Sequence, residues 1–68
     1  MRYNTQRLDE ERVLKGWTRR MLGRFAGVSE NMVGQLLNHQ VGTPVTAKKI
    51  TEALGLKMSD ILIRDKAS

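Results

Sequence analysis

Asn31 and Gln35 are the residues of this 68-residue chain whose side chains are best suited to reading another molecule. Each amide sets a donor beside an acceptor, the pattern that grips adenine at N6 and N7 in a two-pronged contact. They stand four positions apart, so on a helix they share a face and can address successive base pairs. Glu30, just before them, can accept from cytosine N4, and Gly34, between them, presents no side chain at all. Further back lie Arg19, Arg20 and Arg24, inside a stretch from Glu11 to Glu30 that contains no acid between its ends. Guanidinium groups make charge-assisted bonds to phosphate oxygens. Trp17 to Asn38 therefore joins a basic first half to an amide-bearing second half. That is the chemistry of one element meeting a nucleic-acid backbone while the next meets its base edges.

Such residues work only if helices hold them, and the local signals for two helices are present. Thr18 is an N-cap for a helix over about 19–26, with Met21, Leu22, Phe25 and Ala26 recurring at helical spacing as its buried face and Trp17 packing just before it. Gly27 supplies the positive φ of a sharp stop. Ser29 then caps a helix to about Asn38, whose inner face is Val33, Leu36 and Leu37 at i, i+3 and i+4. Glu30, Asn31, Gly34, Gln35 and Asn38 are left outside, and Met32 is expected partly buried, with a thymine methyl as a possible contact. Two short helices joined by a tight turn, the second one polar outward, read as a helix-turn-helix. Gly23 and Gly34 each have two readings. A glycine inside a helix is a weak spot of about 1 kcal/mol against alanine. Alternatively, Gly23 permits a close helix crossing and Gly34 lets its helix sit deep in a groove.

The remaining residues supply scaffold. Met1 to Tyr3 reads as a short arm, with Asn4 or Thr5 capping a first helix to about Lys15 that Gly16 closes. Its apolar residues Leu8, Val13 and Leu14 share no clean face, and Tyr3 or the aliphatic part of Arg12 can complete its packing. After the loop His39–Gly42, Thr43 and Pro44 open a fourth helix with the core stripe Ala47, Ile50, Ala53 and Leu54, closed by Gly55, and Leu56 packs back beneath it. Ser59 caps a last turn over 60–63 that buries Ile61 and Leu62. No strand is evident. The expectation is an all-α, compact bundle of about five short helices, one domain over 1–63 followed by a polar tail over 64–68.

Composition narrows the partners. Twelve Lys and Arg oppose seven Asp and Glu for a formal charge of +5, and the pI is near 10.3. In so small a chain that favours a polyanion, nucleic acid ahead of a membrane surface. There is no cysteine, so neither a disulfide nor a cysteine zinc site can form, and the lone His39 has no suggestively spaced carboxylates for a metal. No cofactor is expected. The first eleven residues carry no signal-peptide core, and no apolar run approaches the roughly 18 residues of a membrane span. A cytoplasmic location is expected.

Gly16-Trp17-Thr18, Leu22, Gly27-Val28-Ser29, Val33 and Leu36, followed by Pro44, Ile50, Ala53-Leu54-Gly55-Leu56 and Ile61-Leu62, together resemble the lambda-repressor-like (Cro/XRE-type) helix-turn-helix domains. The likeness spans about two thirds of the chain. It departs at Arg19, where glutamine is usual, at Gly23, where alanine is common, at Gly34, which interrupts the recognition helix, and in the first helix, which lacks the usual aliphatic pattern. The resemblance implies that the N-terminus of the helix beginning at Arg19 meets a phosphate, an end already suited to anions by its free N–H groups and dipole.

The expected function is sequence-specific binding of double-stranded DNA by a transcriptional regulator, by resemblance a bacterial or phage repressor. Base contacts are expected from Glu30, Asn31, Gly34 and Gln35, and phosphate contacts from Thr18, Arg19, Arg20, Arg24, Ser29 and Asn38, with Lys48 and Lys49 weaker candidates. A domain this small reads few base pairs, so a homodimer on a palindromic operator is expected, its contacts drawn from 57–63 or the last two helices. The competing class is a protein-interaction module that keeps the fold without reading DNA. RNA binding ranks lower because Tyr3, Trp17 and Phe25 make no stacking platform. Catalysis ranks last, since there is no cysteine, no cluster of His and carboxylates, no phosphate-binding glycine loop and little volume for a pocket.

Overall fold

Leu8, Leu22, Val33, Leu36, Ala47, Ile50, Leu54 and Ile61 are sealed from solvent and form one core, to which every helix contributes at least one residue. The computed structural model describes residues 2–39 and 43–63. Along them run β1 (Arg2–Tyr3), α1 (Thr5–Leu14), α2 (Arg19–Ala26), α3 (Glu30–His39), α4 (Pro44–Ala53), α5 (Met58–Ile61) and β2 (Leu62–Ile63). The fold is all-α, five helices in a compact globule, and α2 packs most extensively on α3.

The caps explain the boundaries. Asn4 Oδ1 accepts from the Arg7 N–H, Thr18 Oγ1 from Met21, Ser29 Oγ from Met32 and Thr43 Oγ1 from Thr46, at 3.1 to 3.2 Å. Each satisfies a donor that the first turn of a helix leaves free. Gly27 ends α2 at φ 78°, and the Val28 N–H closes back on the Gly23 carbonyl at 2.9 Å. The expected α3 lengthens by one residue to His39, and the expected loop positions 40–42 and tail 64–68 lie outside the described residues.

Three expectations are corrected. The arm Met1–Tyr3 and the absence of strands give way to an antiparallel pair: Arg2 opposes Ile63 and Tyr3 opposes Leu62, and the Asn4 N–H continues the ladder to the Ile61 carbonyl at 2.6 Å. Pairing satisfies backbone groups that a free arm would leave to water, and it ties the two ends of the domain together. Met1 itself lies outside the described residues. Second, α5 begins at Met58, so Ser59 is within it. The carboxylate of Asp60 accepts from the Lys57 N–H at 2.9 Å and stabilises the start.

The third correction concerns the buried face of α2. Leu22 and Gly23 are buried and Ala26 half-buried, whereas Met21 is 38% and Phe25 54% exposed. The helix rests on α3 through its glycine side, which rotates Phe25 outward. Its ring lies tilted against Trp17 at 4.6 Å between centroids, with Lys15 Nζ 5.7 Å from the indole. Phe25→Ala should therefore cost only about 1 kcal/mol, from half-burial and a tilted aromatic pair. A sealed phenylalanine would cost about 3–5 kcal/mol; urea unfolding of the two chains measures the difference.

α1 buries Leu8 alone, leaving Val13 and Leu14 on its outer side at 60% and 78% exposed. Arg12 secures the exit of α1: its guanidinium pairs with Asp9 at 2.8 Å and donates to the Trp17 carbonyl at 2.7 Å. In α4 two threonines join the core, and the Thr51 hydroxyl donates to the Ala47 carbonyl at 2.6 Å, which satisfies a group that would otherwise be costly to bury.

Candidate nucleic-acid interface

The outward face of α3 is where most of the candidate reading residues gather. Val33 and Leu36 are sealed beneath it and Leu37 is half-buried, while Glu30, Asn31, Gln35 and Asn38 are exposed. With 3.6 residues per turn, Gly34 and Asn38 fall between Glu30 on one side and Asn31 with Gln35 on the other. The five positions form one continuous polar arc. Met32, at 41% exposure, borders the arc beyond Gln35.

The turn that aims α3 depends on Gly23. A Cβ at that position would stand 2.9 Å from the Val28 carbonyl oxygen and 3.3 Å from both the Glu30 nitrogen and the Ser29 carbonyl carbon. All three are backbone atoms, so α2 meets the start of α3 along its glycine. The close-approach reading of Gly23 is the one the geometry supports.

Gly34 differs. Its nearest foreign neighbour is the Arg19 Nη1, 3.9 Å from where a Cβ would stand, an ordinary van der Waals contact. The space above Gly34 is held open by no packing requirement of the domain itself.

The three arginines of α2 do not act as one set. Arg20 and Arg24, one helical turn apart, are both exposed and line a shallow depression with Met21. Arg19 turns the other way, onto α3, where its Nη2 donates to Asn38 Oδ1 at 2.8 Å. Among the described residues no carboxylate pairs with any of the three; Arg7 and Lys15 pair with Glu11, and Arg12 with Asp9. The Thr18 and Ser29 hydroxyl oxygens accept from their own helices, which leaves each O–H free to donate outward. Lys48 and Lys49 are exposed on α4.

Nothing in the sequence signals the Arg19–Asn38 bond. The two residues are nineteen positions apart on different helices, and no periodicity relates them. Among the described residues no helix is long and apolar enough to cross a membrane. No family model, curated protein or solved structure matches the chain.

Proposed function

We propose that this domain binds double-stranded DNA sequence-specifically, with α3 in the major groove and α2 across the phosphate backbone, as a transcriptional regulator of the repressor type. The observation that carries the reading is the division of α3. Its apolar residues are spent on the core, and Glu30, Asn31, Gly34, Gln35 and Asn38 make an uninterrupted arc beside cations that have no carboxylate partner among the described residues. The likeness of Gly16 to Leu62 to lambda-repressor-like domains supports it, as does the formal charge of +5. Asn31 and Gln35 hold adenines, Glu30 accepts from a cytosine amine, and the free hydroxyls of Thr18 and Ser29 join Arg20 and Arg24 on phosphates. An unpartnered Glu30 near phosphates also disfavours wrong sequences.

Gel shift against random duplex at low and moderate salt tests the proposal, followed by selection of bound sites. A shift that weakens with salt, and a palindromic selected site bound by two copies, are the expected results. Arg20→Ala and Arg24→Ala should each weaken every duplex alike and reduce the log–log salt slope by about 0.9, one phosphate's share. A chain that shifts no duplex under any salt would sink the reading. The outward Val13 and Leu14 favour a protein-interaction module in that event, because apolar residues placed away from the core suit a protein partner.

A further inference from the structure

Resting on the DNA-binding reading above, the geometry points to Arg19 as a specificity-determining residue that reads a guanine, with Asn38 as its positioning residue, rather than as a phosphate anchor. Arg19 springs from the first position of α2, where a backbone contact would be the expectation. Its side chain instead crosses to α3. The Nη2–Asn38 Oδ1 bond of 2.8 Å fixes one end of the guanidinium, and Nη1 lies over Gly34, 3.9 Å from the place a Cβ would occupy. Gly34 and Asn38 are the middle of the polar arc, between Glu30 and the Asn31–Gln35 pair. The positive charge is therefore carried to the centre of the surface that faces the base edges.

Three features fit this role. A guanidinium has five N–H donors, and the bond to Asn38 uses one, so a two-pronged edge remains for guanine O6 and N7. No carboxylate among the described residues competes for it. The missing side chain at Gly34 lets the planar group lie low against α3, and a neutral amide orients it without cancelling its charge. Arg20 and Arg24 point elsewhere and are free to serve the backbone. One carbonyl lone pair of Asn38 is engaged by Arg19, and its N–H donors have no partner among the described residues.

The test uses the selected duplex and a panel in which each base pair is replaced in turn. Wild type, Arg19→Lys, Arg19→Ala and Asn38→Ala are titrated against the panel and random duplex, with thermal melts to confirm folding. Arg19→Ala should lose roughly tenfold on the selected site and abolish the preference for G·C at one position, whereas Arg19→Lys, which can still donate to guanine but lacks the planar fork, should weaken that preference. Affinity of Arg19→Lys for random duplex should stay unchanged, since lysine keeps the charge but not the fork. Asn38→Ala should blunt the same position. If Arg19→Ala weakens every duplex equally, lowers the salt slope by about 0.9 and leaves all base preferences intact, Arg19 is a phosphate anchor and this proposal alone fails. If the wild type binds no duplex, the DNA-binding reading fails and takes this proposal with it.

Discussion

Gly23→Ala is expected to destabilise the domain by about 1 kcal/mol net, an overpacking cost of about 2 kcal/mol that outweighs the roughly 1 kcal/mol alanine returns inside a helix. The added carbon would stand 2.9 Å from the Val28 carbonyl oxygen, and the atoms around it belong to the backbone of the turn and of the first residue of α3. A flexible side chain could swing away from such a contact, but a turn already closed by the Val28-to-Gly23 hydrogen bond has little freedom to do so. A domain of this size has roughly 3–10 kcal/mol in total. The melting temperature should accordingly fall by about 4–8 °C. The relaxation that does occur moves α3 away from α2, so affinity for the selected duplex should fall as well. Calorimetric or circular-dichroism melts measure the first effect, and titration at a temperature where the variant is still folded measures the second. A variant as stable as the parent would show that α2 does not meet the start of α3 at this glycine.

Gly34→Ala is expected to move stability and binding in opposite directions. Its Cβ would meet nothing closer than the Arg19 Nη1 at 3.9 Å, and its backbone is ordinary helix. Alanine should therefore stabilise α3 by about 0.4–1 kcal/mol, largely by restricting the unfolded chain. On the groove reading, the methyl adds height at the centre of the arc between Glu30 and Asn31. The expected loss of affinity is on the order of ten- to a hundredfold, the range of one spoiled base contact of about 1–3 kcal/mol. Melts and duplex titrations on one preparation read both effects. A variant that is more stable and binds as tightly would reduce Gly34 to a tolerated weakness in the helix.

The same substitution at two helical glycines thus has opposite expected signs, although in the sequence both carry the same pair of readings. What separates them is the atoms of another segment: backbone at Gly23, the movable tip of an arginine at Gly34. Helix propensity sees neither.

Local chemistry was legible. Thr18, Ser29 and Thr43 cap, and Gly27 stops, where their types demand, because a cap is a contact within three or four residues. Five helices, and a core containing Leu22, Val33, Leu36, Ala47, Ile50, Leu54 and Ile61, follow from apolar spacing. Contacts between distant segments were not legible. The pairing of Arg2–Tyr3 with Leu62–Ile63 involves two-residue strands, too short for an alternation to show. Met21 and Phe25 lie at helical spacing with Leu22, yet their exposure depended on how far α2 rotates to bring Gly23 against the turn.

The stretch Trp17 to Asn38 carries the same division. Its sequence by itself determined that two capped helices meet at a glycine stop, and that Glu30, Asn31, Gln35 and Asn38 face away from the core. Hydrogen bonding over a few residues and burial at a 3.6-residue period suffice for that. Tertiary structure alone decided that Arg20 and Arg24 stay in solvent while Arg19 crosses to Asn38 over Gly34. The direction of a long, flexible cation is set by the acceptor and the open space within its reach, and both came from the neighbouring helix.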